Sequence, residues 1–265
     1  AELKGKGLVM LRCAAPAKGM NIQEEKGAAE YVKYIRTIVQ NMKDQGFGYD
    51  DFVLYPYDEN VQDVFYAAAR LSKEADPKVM VYADPTAKAT PEEMKRLFDG
   101  KYVDYFQYNA SFFNDRGDLI KPFMNGIKYN SIYWCPVIQK RLRTNSFYRQ
   151  MGRVAYREKL QGVGYWTSLW MPGSDRWGLP WDDFHGKTAS AVTIYPGRSN
   201  DSESIPSRRW RAFRVGLEDY LIFDQVRRKG NSPLEKKIDS AVRFSTTTAE
   251  SEQLKNEIVN FLLEK

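Results

Sequence analysis

The chain has only two cysteines and one histidine among its 265 residues, too few for a disulfide framework or a metal cage. Cys13 and Cys135 each sit in an apolar, strand-like run, so both are predicted to be buried free thiols. His185 stands alone and is predicted to be a loop residue. No motif in the sequence requires a metal or an organic cofactor, and we predict neither.

Long apolar runs are also missing, and no stretch is long enough to span a membrane. The net charge is +6, but Lys and Arg are scattered over the chain. The densest basic cluster, residues 139–153, has the pattern of a loop followed by the solvated face of a helix. A scattered charge of this kind argues against nucleic acid as a partner.

Short apolar runs alternate with amphipathic segments along most of the chain. Strands are predicted over 7–14, 51–58, 78–85, 102–109, 131–137 and 163–170. Helices are predicted over 28–46, 60–75, 90–100, 146–162 and 206–230, with one more at the C-terminus. Each interval between strands holds a helix or has room for one, which predicts β–α units on a parallel sheet.

This α/β alternation suits either a (β/α)8 barrel or an open doubly wound sheet. The first strand leads into "AAPAKGMN", without the glycine-rich turn of a dinucleotide fold, so the barrel is favoured. Six strands are visible where a barrel has eight. We therefore expect a TIM-barrel-like fold that lacks its first two strands in this chain, with the missing N-terminal part of the same protein as a partner. The partial barrel is predicted over 1–228, and a helical extension packed on it over 229–265.

Two adjacent carboxylates, Asp58 and Glu59, stand where the second predicted strand gives way to a helix. Barrel sites form at the C-terminal ends of strands, which makes this pair a candidate for catalysis. The alternative is local: Asp58 would be the N-cap of the next helix and Glu59 an acid of its first turn. Successive side chains of a regular strand point to opposite faces, so both acids reach one ligand only if the backbone turns at Asp58.

The last third of the chain carries a distinctive pattern. In it, Tyr-Pro-Gly precedes Pro-Ser-x-Arg and Arg-x-Gly-x-Glu-Asp-Tyr, at Tyr195, Pro196, Gly197, Pro206, Ser207, Arg209, Arg214, Gly216, Glu218, Asp219 and Tyr220. This pattern resembles the C-terminal block of family-123 glycoside hydrolases and their uncharacterised relatives. Trp166, Trp170 and the Pro180-Trp181 pair also look like the family's, and the resemblance covers most of residues 50–228.

The resemblance implies a glycosidase similar to hexosaminidases that release N-acetylgalactosamine by a retaining, substrate-assisted reaction. Such enzymes place an Asp-Glu pair at the end of barrel strand four, where Asp58 and Glu59 fall. Asp58 would orient the acetamido group of the sugar, and Glu59 would protonate the leaving oxygen and then activate water. The sequence departs from the family where Asn60, instead of Pro, follows the pair. The resemblance also favours a carbohydrate substrate and an extracytoplasmic location.

Further residues at strand ends are candidates for contact with the sugar. The predicted substrate-binding residues are Asp84, Tyr108, Asn109, Trp134, Trp166 and Trp170. Asp84 would bind sugar hydroxyls or begin a turn, and Tyr108 would donate to the acetamido oxygen. The Trp side chains would form an apolar floor beneath the sugar or belong to the core.

Two other interpretations remain open. One is a non-catalytic carbohydrate-binding or surface protein that keeps the barrel. The other is a glycosidase with two separated acids, Glu59 and either Asp84 or Asp104. A second acid pair, Glu218 and Asp219, lies within a predicted helix and is predicted to form a buried structural network with Arg209 or Arg214.

Overall fold

The computed structural model describes residues 7–14, 20–86, 88–134, 144–165, 193–195, 203, 205–243 and 248–264. Contacts divide the chain into two compact units, residues 1–132 and 133–265. Within the described ranges, no helix is both long and apolar enough to cross a bilayer. Cys13 is a fully buried free thiol, as predicted, while Cys135 and His185 lie outside the described residues.

The first unit alternates strands and helices from its start. Its elements are β1 (Val9–Arg12), α1 (Glu25–Asp44), β2 (Phe52–Tyr55), α2 (Asp63–Ala75), β3 (Met80–Ala83), α3 (Pro91–Gly100), β4 (Tyr105–Asn109), α4 (Ala110–Met124) and β5 (Tyr129–Trp134), the last of which runs past its boundary. Adjacent strands pair parallel and in chain order, for example Val53 with Met80 and Tyr82 with Tyr105. This arrangement confirms the predicted α/β fold, a partial (β/α)8 barrel.

The two faces of these strands bury different side chains because strand residues alternate. Phe52 and Leu54 of β2 face the helices and join a core with Tyr31 and Ile35 of α1. Burial of each such apolar side chain contributes about 1.5–3 kcal/mol. Val53, between them, lies on the opposite face.

That opposite face carries a row of four tyrosines, one from each of four successive strands. We call Tyr55, Tyr82, Tyr105 and Tyr129 the tyrosine row. Neighbouring rings lie 4.8, 5.3 and 5.7 Å apart between centroids, in edge-on or tilted contact. Pairs in this geometry add about 0.5–1.5 kcal/mol beyond the area they bury. The row therefore fixes the relative positions of the strands on the side away from the helices.

The second unit is mainly helical. Its elements are a π-helical segment (Thr144–Arg149), α5 (Gln150–Arg157), β6 (Gly162–Tyr165), the antiparallel pair β7 (Ile194–Tyr195) and β8 (Ile205–Pro206), α6 (Arg208–Lys229), α7 (Ser232–Arg243) and α8 (Thr248–Leu263). Helix α6 begins where the sequence predicts, with Ser207 Oγ accepting the N–H of Trp210 at 3.2 Å. It ends at Gly230, whose left-handed backbone closes the helix.

Helices α5 and α6 pack backbone against backbone. A Cβ atom at Gly152 would lie 1.9 Å from the carbonyl oxygen of Gly216, and one at Gly216 would lie 2.3 Å from the carbonyl oxygen of Arg149. Neither distance is compatible with a side chain. The glycine of the Arg-x-Gly-x-Glu-Asp-Tyr pattern is therefore required by helix packing.

The acids of the same pattern also have structural surroundings. Asp219 is buried and accepts from Arg149 Nε at 2.8 Å and Arg153 Nε at 3.0 Å. The predicted buried network exists at Asp219, but these partners are not the Arg209 or Arg214 expected. They belong to the 139–153 cluster, whose predicted solvated character is wrong at these two arginines. Glu218 lies at the surface, 3.9 Å from Arg214.

Candidate active site

The candidate site lies in the first unit, where β2, β3 and β4 end. Strand β2 ends at Tyr55 and helix α2 begins at Asp63, so Asp58 and Glu59 belong to the connection between them. The N-cap of α2 is Gln62, without a capping side-chain bond, and the acid of its first turn is Asp63. The helix-capping interpretation of Asp58 and Glu59 is therefore wrong.

The backbone turns sharply at the acid pair. Glu59 has a φ of 52°, in the left-handed region that residues with a Cβ seldom occupy. This conformation costs roughly 1–2 kcal/mol for an L-residue. Because the chain has already left β2, strand alternation does not force Asp58 and Glu59 to opposite faces. The turn that a shared site requires is present.

Hydrogen bonds to Asp84, at the end of the neighbouring strand β3, hold this turn. The backbone N–H of Glu59 donates to Asp84 Oδ1 at 3.0 Å. Tyr55 Oη lies 2.6 Å from Asp84 Oδ2 and is also hydrogen-bonded to Asp58 Oδ1. These four residues, Tyr55, Asp58, Glu59 and Asp84, form what we call the acidic cluster. It places three carboxyl groups at the C-terminal edge of two adjacent strands.

The carboxyl groups differ in their exposure. Asp84 is only 6% exposed, and this burial raises its pKa to about 7, although the hydrogen bond from the Glu59 backbone acts in the opposite direction. The side chain of Asp58 is 53% exposed and lies 3.8 Å from the guanidinium of Arg12, itself 67% exposed. An ion pair this exposed is worth little, about 0–1 kcal/mol. Burial, and then the two carboxylates, raise the pKa of Tyr55 far above its usual value.

Two of the predicted substrate contacts, Tyr108 and Asn109, make hydrogen bonds within the protein. Tyr108 is fully buried on the helix-facing side of β4, stacked on Phe106 at 5.6 Å, and it donates to Asn130 Oδ1 at 2.9 Å. The prediction for Tyr108 placed it at the correct strand end but on the wrong face. Asn109 caps α4, with its Oδ1 accepting the N–H of Ser111 at 3.0 Å.

The remaining candidates are three tryptophans, whose side chains lie outside the described residues, and Asp104, which lies at the other end of its strand. Trp134 ends β5, but its side chain lies outside the described part of the chain, as do Trp166 and Trp170 altogether. Asp104 lies at the N-terminal end of β4, bound to Lys73 Nζ at 2.7 Å. A strand of this length separates its ends by on the order of 15 Å. A two-acid mechanism that combines Glu59 with Asp104 is therefore wrong.

Two polar residues of the site were missed from the sequence. Tyr55 reads as an ordinary strand residue, and its position three residues before Asp58 is the only signal. Gln107 lies on the same face of β4 as Tyr105, and its Oε1 accepts from Tyr82 Oη at 2.8 Å. Counting alternate residues back from Asn109 would have found Gln107 instead of Tyr108. Among the described residues, no group of three or more His, Cys, Asp or Glu is arranged to hold a metal ion.

Parallel strands in chain order, with acids beyond their C-terminal ends, define a barrel-type α/β domain whose candidate site lies where barrel enzymes bind their substrates. The chain is similar in fold to the solved structure of a family 123 glycoside hydrolase from Clostridium perfringens, with a TM-score of 0.65 and 14% identity. That alignment covers 93% of this chain and 46% of the other, so the chain spans less than half of that enzyme. The predicted likeness to family 123 is confirmed at the level of the fold.

Alignments with two further solved structures are weaker. A family 10 xylanase of Thermobacillus composti aligns with a TM-score of 0.44 and 12% identity, over 80% of this chain and 77% of that one. A family 5 mannosidase of Rhizomucor miehei aligns with a TM-score of 0.42 and 16% identity, over 63% and 55%. No protein-family model and no curated protein matches the sequence.

Proposed function

We propose that this chain is the catalytic part of a glycoside hydrolase that acts on 2-acetamido sugars, with Asp58 and Glu59 as its catalytic pair. The observation that carries the proposal is the left-handed turn at Glu59, which holds two adjacent acids at the C-terminal edge of β2. The fold-level likeness to a family 123 glycoside hydrolase supports the same class of reaction.

Adjacent acids suit a reaction in which the substrate supplies its own nucleophile. The acetamido oxygen of the sugar attacks the anomeric carbon, and the bond to the leaving oxygen breaks as Glu59 donates a proton to that oxygen. The product of this step is a cyclic oxazolinium. Water then attacks the anomeric carbon, Glu59 takes up its proton, and the ring opens with overall retention. No second carboxylate is needed across the sugar, unlike in ordinary retaining glycosidases.

Asp58 acts on the acetamido group in this scheme. Its carboxylate accepts the acetamido N–H, which turns the amide oxygen toward the anomeric carbon, and it balances the positive charge of the oxazolinium. Tyr55 bonds to one carboxylate oxygen, Oδ1, and so fixes the plane of the carboxylate. The other oxygen, Oδ2, faces the exposed guanidinium of Arg12.

The surroundings of the pair are proposed from the resemblance. Trp134, Trp166 and Trp170 are proposed to form the apolar floor of the sugar site. Strands from the remainder of the same protein are proposed to complete the barrel. The protein is proposed to act outside the cytoplasm, where its substrate would be an exposed glycan.

A panel of chromogenic glycosides tests the proposal. We expect hydrolysis of N-acetylgalactosaminides or N-acetylglucosaminides and no hydrolysis of the matching galactosides and glucosides. Glu59→Gln and Asp58→Asn should each lower kcat by about 10²–10⁴-fold. Glu218→Gln, a matched change of an exposed glutamate in the second unit, should leave the rate unchanged.

The leaving group separates the roles of the two acids. If Glu59 is the general acid, the kcat of Glu59→Gln should fall least with a substrate whose leaving group needs no proton, such as a dinitrophenol. The kcat of Asp58→Asn should fall by the same factor with good and with poor leaving groups. Turnover of plain hexosides by the unaltered protein would refute substrate assistance, and saturable sugar binding without turnover would favour a non-catalytic binding protein.

A further inference from the structure

Tyr55 lies between two carboxylates but carries one hydroxyl proton. Its Oη is hydrogen-bonded to Asp58 Oδ1 and lies 2.6 Å from Asp84 Oδ2. A phenol can donate to only one of these oxygens at a time. The second contact is therefore a hydrogen bond only if one of the two carboxyl groups is itself protonated and donates to Tyr55 Oη.

The surroundings decide which carboxyl group holds that second proton. Asp84 is 6% exposed, whereas the side chain of Asp58 is 53% exposed and faces the guanidinium of Arg12. Burial disfavours a carboxylate and a nearby cation favours one, so the proton belongs on Asp84. The hydrogen bonds then run in one direction: the Asp84 carboxyl donates to Tyr55 Oη, and Tyr55 donates to ionised Asp58.

Asp84 also reaches the second acid through the backbone. Its Oδ1 accepts the N–H of Glu59, the residue in the left-handed conformation. One buried side chain thus bonds to the groups that orient both acids of the proposed pair. A buried carboxyl group with this set of partners has no oxygen directed only to solvent, which argues against the predicted role of Asp84 in binding sugar hydroxyls.

We propose that Asp84 and Tyr55 are positioning residues, and that protonated Asp84 orients the Asp58 carboxylate through Tyr55 while it holds the turn at Glu59. The proposal rests on the proposed function of the Asp58–Glu59 pair. Within the described part of the chain, Asp84 is faced by Tyr55 on β2 and Asp58 in the connection after β2, with Arg12 of β1 beyond Asp58, while Glu59 reaches it through its backbone N–H. Loss of the Asp84 proton would leave Tyr55 a single proton for two carboxylates. The buried Asp84 carboxylate, which water solvates less than exposed Asp58, would then draw that hydrogen bond away from Asp58.

The test is the pH dependence of kcat in Asp84→Asn. An Asn presents the same two bonds at every pH, with Nδ2 donating to Tyr55 and Oδ1 accepting from Glu59. From pH 6 to pH 8, Asp84 loses its proton in all but about one tenth of the wild-type molecules. The fall in kcat over this range should therefore be about tenfold larger in the wild type than in Asp84→Asn, since the ionisation of Glu59 lowers kcat equally in both. Tyr55→Phe should lower kcat by roughly tenfold or more with KM little changed.

The matched control is Asp76→Asn. Asp76 accepts from Tyr49 Oη at 2.6 Å and from the N–H of Lys78 at 3.0 Å, so it shares a tyrosine and a backbone partner with Asp84 and differs by an ion pair with Lys43 at 3.4 Å. It precedes β3 and therefore lies at the opposite end of the strands. This variant should keep the wild-type pH profile of kcat.

The proposal and the proposed function can fail separately. An Asp84→Asn variant that keeps the wild-type pH profile, or that mainly raises KM, would overturn the positioning role while the glycosidase stands. If Asp84→Asn lost activity at every pH, Asp84 would have to act as a carboxylate, and this result would also overturn the positioning role. The carboxyl carbon of Asp84, followed by NMR in unaltered protein, should titrate well above its usual range; titration near pH 4 would overturn the proposal without any activity measurement. If the titration is as expected and no glycoside is hydrolysed, the proposed function fails, and the catalytic role of Asp84 fails with it.

Discussion

The backbone N–H of Glu59 and the buried carboxyl group of Asp84 are joined by a 3.0 Å hydrogen bond between the ends of two neighbouring strands. The connection after β2 is therefore fixed by β3, and not by a cap of the helix that follows it, since Gln62 makes no capping side-chain bond. Strand order in the sheet thus determines the conformation of the acid pair.

The first prediction concerns the strain at Glu59. Glu59→Gly should raise the free energy of unfolding by about 1 kcal/mol, because glycine occupies the left-handed region without a Cβ clash. Glu59→Val should lower it by about 1–3 kcal/mol, since a β-branched residue is poorly tolerated there. Both are measured by urea unfolding against Glu59→Gln. Lys101, at a φ of 52° after α3, supplies the control, and Lys101→Gly should also stabilise. Equal stability of the Gly, Gln and Val variants at position 59 would show that the turn is not strained.

The second prediction concerns the stability of the protein as a function of pH. The pKa of Asp84 is about 7 in the folded chain and near 3.8 when unfolded, so between these values the folded state holds more protons. The contribution of Asp84 to stability is therefore full below pH 4 and is lost as the pH rises to 7, at up to about 1.4 kcal/mol per pH unit. Asp84→Asn should lack this part of the slope, which is measured as the difference in unfolding free energy between the two proteins from pH 4 to 8. A constant difference across that range would contradict the assignment.

The third prediction concerns the contact between α5 and α6. Gly216→Ala should destabilise by about 2 kcal/mol or more, because its Cβ would force two helix backbones apart. Gly117, within α4, is the matched control: a Cβ there would meet only the flexible side chain of Lys121 at 3.6 Å. Gly117→Ala should stabilise by up to about 1 kcal/mol through helix propensity. Thermal unfolding of both variants decides the matter, and similar changes in both would exclude close packing as the reason for Gly216.

The fourth prediction distinguishes the two neighbouring acids of α6. Asp219→Ala should lower the unfolding free energy by about 3–5 kcal/mol, since it leaves Arg149 and Arg153 buried without their carboxylate. Glu218→Ala should change it by less than about 1 kcal/mol, because its ion pair with Arg214 is exposed. Urea unfolding measures both. If Glu218→Ala proved the more destabilising, Asp219 would not be the acid of this pair that stabilises the fold.

Much of the fold followed from the sequence, because the alternation of apolar runs and amphipathic segments is a local signal. The six predicted strands exist, and helix α3 begins at its predicted start, where Thr90 Oγ1 accepts the N–H of Glu93 at 3.2 Å. The end of β2 was placed three residues too late. The acid pair was accordingly read as part of a strand or of a helix start, although it belongs to neither.

What the sequence could not supply were contacts between distant segments. Tyr55 and Asp84 are 29 residues apart, and nothing near either one indicates the other. The burial of Arg153 depends in the same way on Asp219, 66 residues away. The error at Tyr108 has a different cause. The alternation of side chains along β4 could be read from the sequence, but Tyr108 was assigned to the wrong face of the sheet.

The division of the chain into two units has a practical consequence for spectroscopy. All six tryptophans, Trp134, Trp166, Trp170, Trp177, Trp181 and Trp210, fall in the second unit, and residues 1–132 contain none. Fluorescence excited selectively at indole therefore follows the unit that holds Gly216 and Asp219. The unit that holds the acidic cluster must be followed through its phenol rings, for example by near-ultraviolet circular dichroism. Two transitions that fail to coincide would mean that the halves of this molecule melt as separate cooperative blocks.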